Sequence, residues 1–207
     1  MRIGVLALQG AFIEHIAILR SLGIEATPVR LPEELDGLDG VIIPGGESTA
    51  IAKLLASSGL FDPLRGAIGR GMPVYGTCAG MILLARDSGI AGQPTLGRMD
   101  IAVRRNAFGR QLDSFEVDLV MPALGDPPFH AVFIRAPAIE RVGPMAEELA
   151  HLEDGTIVAA RQGSMLATAF HPEISGDTRL HRYFAIMCAR AGVAEETPPG
   201  HWAPSPS

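Results

Sequence analysis

Cys78 and His171 are set apart from the rest of this chain by their surroundings. Cys78 sits in Gly76-Thr77-Cys78-Ala79-Gly80, and His171 opens His171-Pro172-Glu173 far downstream. Cys78 follows a short apolar run, Pro73-Val74-Tyr75, that reads as a buried strand. It precedes Met81-Ile82-Leu83-Leu84, which reads as the start of a helix. A nucleophile between glycines at a strand-to-helix turn has the elbow geometry that presents its attacking atom. Gly76 and Gly80 permit close backbone approach, and the positive end of the following helix lies beside the sulfur. Proline at 172 biases His171 toward extended backbone, where residues two apart project to the same side. Glu173 can then hold one imidazole nitrogen while the other faces the thiol. That is the logic of nucleophile, base and orienter, with Glu where other triads use Asp.

A cysteine just after a buried strand is also a common packed core thiol; the flanking glycines and the separate His-Pro-Glu argue against that for Cys78. Cys188 is the contrast. It lies four residues after Phe184 and eight after Leu180, on the apolar face of the last helix, with no turn around it, and it reads as core. His15, His130, His151, His181 and His201 show no partnered setting in the sequence and read as surface or structural. No Cys/His pair has ligand spacing, so no metal is expected.

Two further segments carry polar chemistry. Pro44-Gly45-Gly46-Glu47-Ser48-Thr49 follows a strand and opens a helix, so its amides are free to face an anion. It lacks the Gly-Lys-Ser/Thr ending of a phosphate loop, and a plain structural turn remains open. Its functional reading is an oxyanion hole, built from an amide near Gly46 and the amide of Ala79 after the nucleophile. Arg104-Arg105-Asn106-Ala107-Phe108-Gly109-Arg110-Gln111 places two basic pairs around a glycine turn, as a solvated loop or as contacts to a ligand or partner.

These residues need a frame. The first half alternates strand and helix signals: a continuous apolar strand from Ile3 to Leu8, a helix with Phe12, Ile16 and Leu19 at helical spacing that stops at Gly23, a weaker strand over residues 24–29, and a strand over residues 40–43. Ser48 can cap a helix through Ile51, Leu54 and Leu55. This order predicts an α/β fold, doubly wound, with a mostly parallel central sheet flanked by helices. Extra strands follow in the second half, over residues 100–103, 115–120, 131–134, 156–160 and 166–170, with Asp154-Gly155 as a hairpin turn. A last helix over residues 180–191 closes the domain. We expect one domain over residues 1–193, and a disordered tail over 194–207, rich in Pro and Ser, with little to bury except Trp202.

Composition bounds the partners. A chain of 207 residues that is 47% hydrophobic fits one globular domain with a sizeable core. A net charge of −6 without a basic run disfavours nucleic acid. The first apolar run is far too short to span a membrane or to act as a signal peptide. Two distant cysteines make no disulfide framework, which points to a reducing cytoplasm.

With these segments together, the chain resembles the class I, triad-type glutamine amidotransferases. Within them it is similar to the glutaminase subunits of pyridoxal 5'-phosphate synthases. Gly-Thr-Cys-Ala-Gly and His-Pro-Glu carry the wider resemblance. Leu8-Gln9-Gly10, residues 44–49, Arg105-Asn106 through Gln111 with Ser114-Phe115-Glu116, and Phe133-Ile134-Arg135-Ala136-Pro137 carry the narrower one. It runs from Ile3 to about Gly192; Ala107 and Ala50 stand where relatives often have Ser and Thr. The resemblance implies Cys78 as nucleophile, His171 as general acid and base, and Glu173 as its partner. It also implies glutamine contacts at Gly46, Glu47, Ser48, Arg105, Ile134 and Arg135, with Gln9 near a partner interface. The implied chemistry is hydrolysis of L-glutamine to glutamate through a glutamyl thioester, without a cofactor. The ammonia would pass to a separate synthase subunit, which joins it to a pentose phosphate and a triose phosphate. The glutaminase subunit of another synthase, such as that for imidazole glycerol phosphate, would keep the triad but not the Arg105 and Phe133 segments. In a stress-response or chaperone-like protein of related fold the base commonly follows the cysteine directly, whereas here Ala79 does. An inactive interaction module is the third alternative.

Overall fold

The first four strands form the parallel part of the sheet. They are β1 (Arg2–Leu6), β2 (Glu25–Val29), β3 (Gly40–Ile43) and β4 (Val74–Thr77). Between them run α1 (Phe12–Ser21), α2 (Ser48–Ser57) and α3 (Phe61–Gly69), with a 3-10 turn over Pro32–Leu35. β3 and β4 are buried at every position, as expected of parallel strands covered on both faces. The short α4 (Ala79–Leu84) follows β4 directly and leads into β5 (Ala85–Asp87) and β6 (Met99–Arg104). The chain continues through β7 (Ser114–Leu119), β8 (Phe129–Ile134), β9 (Ala138–Val142), β10 (Glu147–His151), β11 (Ile157–Gln162) and β12 (Met165–Thr168). A 3-10 turn over Pro172–Ile174 and α5 (Arg179–Glu195) complete it. This computed structural model describes residues 1–108 and 114–195. The expectations for Gly109, Arg110, Gln111 and Trp202, and for the tail from residue 196 on, lie outside the described residues.

The large sheet has the order β2-β1-β3-β4-β12-β11-β9-β6-β5, with β10 on β11, and it is mostly parallel. β12 joins β4 in parallel, so the last strand of the chain enters beside the fourth. β11, β9 and β6 then alternate in antiparallel fashion. β7 and β8 form a separate antiparallel ribbon. Its inner face carries Phe115 and Phe133, stacked with centroids 4.5 Å apart, and Phe133 lies 5.4 Å from Phe170, next to the His171 segment. Among the described residues no helix is long and apolar enough to cross a membrane.

Most of the expected elements are present within a few residues of the expected bounds. α3, β5, β9 and β10 are additional; α3 buries Leu64, Ala67 and Ile68 at helical spacing, whereas the three strands carry no clear periodic signal. β10 and β11 flank the expected Asp154-Gly155 turn, where Asp154 accepts the amide of Thr156. α5 runs through Glu195, so residues 194 and 195 are helical rather than tail. Ser48 is not the cap of α2. The cap is Glu47, whose carboxylate accepts the amides of Thr49 and Ala50, while Ser48 is buried at the first helical position.

Candidate active site

Cys78 leaves the carboxyl end of β4 with φ 49° and ψ −103°, a backbone strained for a residue with a Cβ. The strain is held from both sides. The amide of Cys78 donates to the carbonyl of Thr168 at 2.8 Å, and the amide of Ile82 donates to the carbonyl of Cys78. A Cβ on Gly76 would lie 2.6 Å from the backbone of Gly80, and one on Gly80 would collide with the carbonyl of Ile43. The two glycines therefore serve close packing of β3, β4 and α4 around the elbow, as the sequence predicts.

His171 arrives on the neighbouring strand. Thr77 of β4 pairs with Thr168 of β12, so the segment carrying His171 emerges beside the elbow. The His171 amide donates to the carbonyl of Val132, which fixes the segment against β8. Nδ1 of His171 lies 2.6 Å from Glu173 Oε1, and Cys78 and His171 line the same cavity and both border Gly45. Burial disfavours its charged form, but the neighbouring Cys78 and Glu173 outweigh it. They raise His171 to about 10. The imidazolium is thus the favoured state beside the sulfur.

The backbone that achieves this differs from expectation. His171 has φ −104° and ψ 88° and caps the 3-10 turn Pro172–Ile174. Pro172 occupies the first turn, where its missing N–H costs nothing. The side chains of His171 and Glu173 meet across that turn rather than along an extended strand.

A cavity of about 350 Å³ opens over Cys78 and His171, and it is lined by every expected substrate residue, Gly46, Glu47, Ser48, Arg105, Ile134 and Arg135, and by Ala79. Gln9, Ile82, Asn106 and Pro137 complete the wall. Gly45 is wedged against His171, since a Cβ there would lie 2.5 Å from His171 Cε1. The loop is tied to the segment after β1: the Glu47 amide donates to Gln9 Oε1 at 2.9 Å, and the Ala11 amide to the carbonyl of Gly45 at 3.4 Å. Burial acts to raise the Glu47 carboxyl, but the amides of Ala50 and Thr49 and the nearby Arg105 hold it below the usual range. Arg105 Nη2 lies 3.2 Å from Glu47 Oε1. Across the cavity Arg135 has φ 42° and Asn106 φ 48°, and the Ala107 amide donates to the carbonyl of Ala136, joining the two walls.

Four histidines depart from the expectation that they lack partners. His15 and His181 are both fully buried, with His15 Nδ1 2.8 Å from His181 Nε2 and His15 Nε2 3.4 Å from Glu173 Oε2. His130 lies between Asp118 and Glu116 on the ribbon, and His151 contacts Glu148. The partners of His15, His181 and His130 come from other elements, where no spacing in the chain announces them, whereas Glu148 lies three residues before His151 on β10 itself. For His15 there is a weak signal: it shares a helical face with Leu19, four residues on. His201 lies outside the described residues.

A family model described as the SNO glutamine amidotransferase family matches residues 5–190. A protein of Herpetosiphon aurantiacus named pyridoxal 5'-phosphate synthase subunit PdxT is 60% identical over 187 residues, covering 89% of this chain and 98% of the relative. One of the same name from Dehalococcoides mccartyi is 61% identical over 189 residues, covering 90% and 97%. A solved structure described as a glutamine amidotransferase superposes with a TM-score of 0.86 at 50% identity, covering 90% of this chain and 98% of that one. A putative GMP synthase component from Thermoplasma acidophilum, 20% identical with a TM-score of 0.67 over 95% of this chain and 98% of its own, shares the fold.

Proposed function

Because the chain belongs to the SNO glutamine amidotransferase family, we propose that it hydrolyses the side-chain amide of L-glutamine as the glutaminase subunit of a pyridoxal 5'-phosphate synthase. The ammonia goes to a separate synthase subunit, the partner in a hetero-oligomeric complex. The observation that carries the assignment is the meeting of Cys78 with His171 and Glu173 at the ends of adjacent strands, under a cavity of a size for one amino acid.

In this reading Cys78 is the nucleophile. His171 holds the thiol proton while the sulfur attacks the amide carbon, and the carbonyl electron pair moves onto oxygen. The amides of Gly46 and Ala79 face that oxyanion; one such donor is typically worth about 3 kcal/mol of barrier. Collapse of the intermediate breaks the C–N bond, and His171 delivers its proton to the departing nitrogen, which leaves as ammonia. Water then attacks the thioester with His171 as base, releasing glutamate and restoring the thiol. Glu173 orients His171 and stabilises its positive charge. Cys78, His171 and one water account for every proton and electron pair, so the hydrolysis itself calls for no metal or cofactor.

Gly46, Glu47, Ser48, Ile134, Arg105 and Arg135 are the proposed glutamine contacts. The guanidinium groups supply charge for the substrate carboxylate, and Glu47 supplies it for the ammonium. A reducing cytoplasm belongs to this reading, supported by Cys78 and Cys188 both being free thiols. The test is glutamate release from glutamine, measured with and without the cognate synthase subunit. Absence of release under both conditions sinks the assignment.

A further inference from the structure

Glu173 presents two oxygens, and only one of them faces the base. Oε1 holds His171 Nδ1. Oε2 points inward, where His15 Nε2 of α1 lies 3.4 Å away, with both side chains fully buried. Among the described residues Oε2 has no other partner, and this contact itself falls short of an aligned hydrogen bond. His15 Nε2 is also 3.4 Å from Thr77 Oγ1, on β4 just before the nucleophile. Behind it, His15 Nδ1 meets His181 Nε2 of α5 at 2.8 Å, and among the described residues His181 Nδ1 is buried without a partner.

These contacts fix the tautomers. If His15 carried its proton on Nδ1, its Nε2 lone pair would face the lone pairs of a buried carboxylate, and His181 would bury an N–H without an acceptor. Both are costly. With the proton on Nε2, His15 donates toward Glu173, and His181 Nε2–H donates to His15 Nδ1. Only the bare lone pair on His181 Nδ1 is then unpaired. Burial, and then the neighbouring His181 and His171, hold His15 well below the ordinary imidazole range. Burial lowers His181 to about 4. Both rings are therefore neutral at working pH.

We propose that His15 is a positioning residue for the triad: its Nε2–H holds the second oxygen of Glu173, so that the first stays on His171, and His181 fixes His15 in the tautomer that can do this. The proposal rests on the reading of Cys78, His171 and Glu173 as a glutamine-hydrolysing triad. No proton leaves His15 in the reaction. The 3.4 Å separation shortens on going to the reacting complex, as active-site hydrogen bonds often do.

Steady-state glutamine hydrolysis by the complex with the cognate synthase separates this from a packing role. His15→Leu is expected to lower kcat at least tenfold with KM within twofold of wild type. His15→Gln, which returns an N–H to the same place, should recover most of the loss. In a Glu173→Gln background, His15→Leu should change kcat by less than twofold, since the carboxylate it serves is gone. A wild-type kcat in His15→Leu, or a loss carried undiminished into Glu173→Gln, overturns the proposal. Should His15→Leu fail to fold, nitrogen-15 NMR of the histidine rings in the wild-type protein decides: a proton on His15 Nδ1 instead of Nε2 overturns it. An inactive wild-type complex would instead sink the assignment of the triad itself.

Discussion

Thr77 and Thr168 are paired residues of the parallel strands β4 and β12, and neither is exposed to solvent. Cys78 follows the first of them directly, and His171 follows the second by three residues. The distance between sulfur and imidazole is thus set by strand register rather than by a flexible loop. A slip of one residue in that pairing would turn every side chain of β12 to the other face and remove His171 from the elbow.

Cys78→Ala is expected to remove glutamine hydrolysis, by at least about a thousandfold in kcat, while the protein stays folded. Alanine has the same Cβ as cysteine, so the elbow at φ 49° is no more strained than before. Cys188→Ala should keep most activity, because Cys188 packs inside α5 against Gly40, away from the cavity. Glutamate release and a melting curve for each variant check both statements, and reversed phenotypes would overturn the assignment of the nucleophile.

Glu173→Gln keeps the shape of the side chain but removes the charge that stabilises an imidazolium. Turnover is expected to fall about a hundredfold or more, with little change in KM. A kcat within a factor of two of wild type would reduce the site to a Cys-His pair.

Activity is expected to depend on the synthase subunit. The loop at Gly45 and Gly46 is held by Gln9 and Ala11 from the segment after β1, so a partner seated on that segment can move it. Hydrolysis by the isolated chain should be slow, and at least tenfold faster in the complex, a barrier change of about 1.4 kcal/mol. Gly46→Ala would push its Cβ into the Gln9 carbonyl that holds the Glu47 amide. It should blunt the activation more than it weakens partner binding, measured by calorimetry beside kcat. Equal turnover with and without synthase at saturating glutamine refutes the gating.

Stability should fall with pH below about 6.5, in the range where unfolded histidines take up protons that buried ones refuse. His15 and His181 are both lowered in the fold, the latter to about 4. Above the unfolded value neither state binds the extra proton, and no pH dependence arises from them. Below it each costs up to about 1.4 kcal/mol per pH unit, so His181 alone accounts for about 3 kcal/mol by pH 4. His171 is raised instead, to about 10. Its contribution is complete below about 6.5 and is lost only as pH rises toward 10, so it adds no slope in the acid range. Melting temperatures at pH 7.5, 6 and 5 test this. His181→Phe should show a flatter decline than wild type, and a wild-type Tm unchanged between pH 6.5 and 4.5 would contradict it.

The elbow, the His-Pro-Glu and the loop at Gly46 are legible in the sequence because each is local: glycines, a proline and a strand end sit within a few residues of the reacting group. The parallel strands are legible because burial on both faces leaves unbroken apolar runs, as at Val41-Ile42-Ile43. β9 and β10 are not, since Ala138–Val142 and Glu147–His151 mix charged and apolar residues without a clean alternation. The cap of α2 falls one residue before the expected Ser48 because Glu47 takes a role more often given to Ser. Proline correctly signals a constraint at His171, but not that the constraint is a 3-10 turn. The pairing of His15 with His181 and Glu173 comes from three elements that meet only in space, and no pattern in the chain announces it.

The place of β12 in the middle of the sheet has a consequence for the making of the protein. Tyr75 and Thr168 meet although they are 93 residues apart in the chain, and the strand that joins them is the last to be synthesised. A nascent chain that has released β1 to β4 from the ribosome already carries its thiol, but it has no base beside it and no ribbon over it. It is chemically silent until the closing strand inserts. That insertion bears the entropy of closing a long loop, which makes it a slow step of folding. Incomplete chains are thereby kept from consuming glutamine.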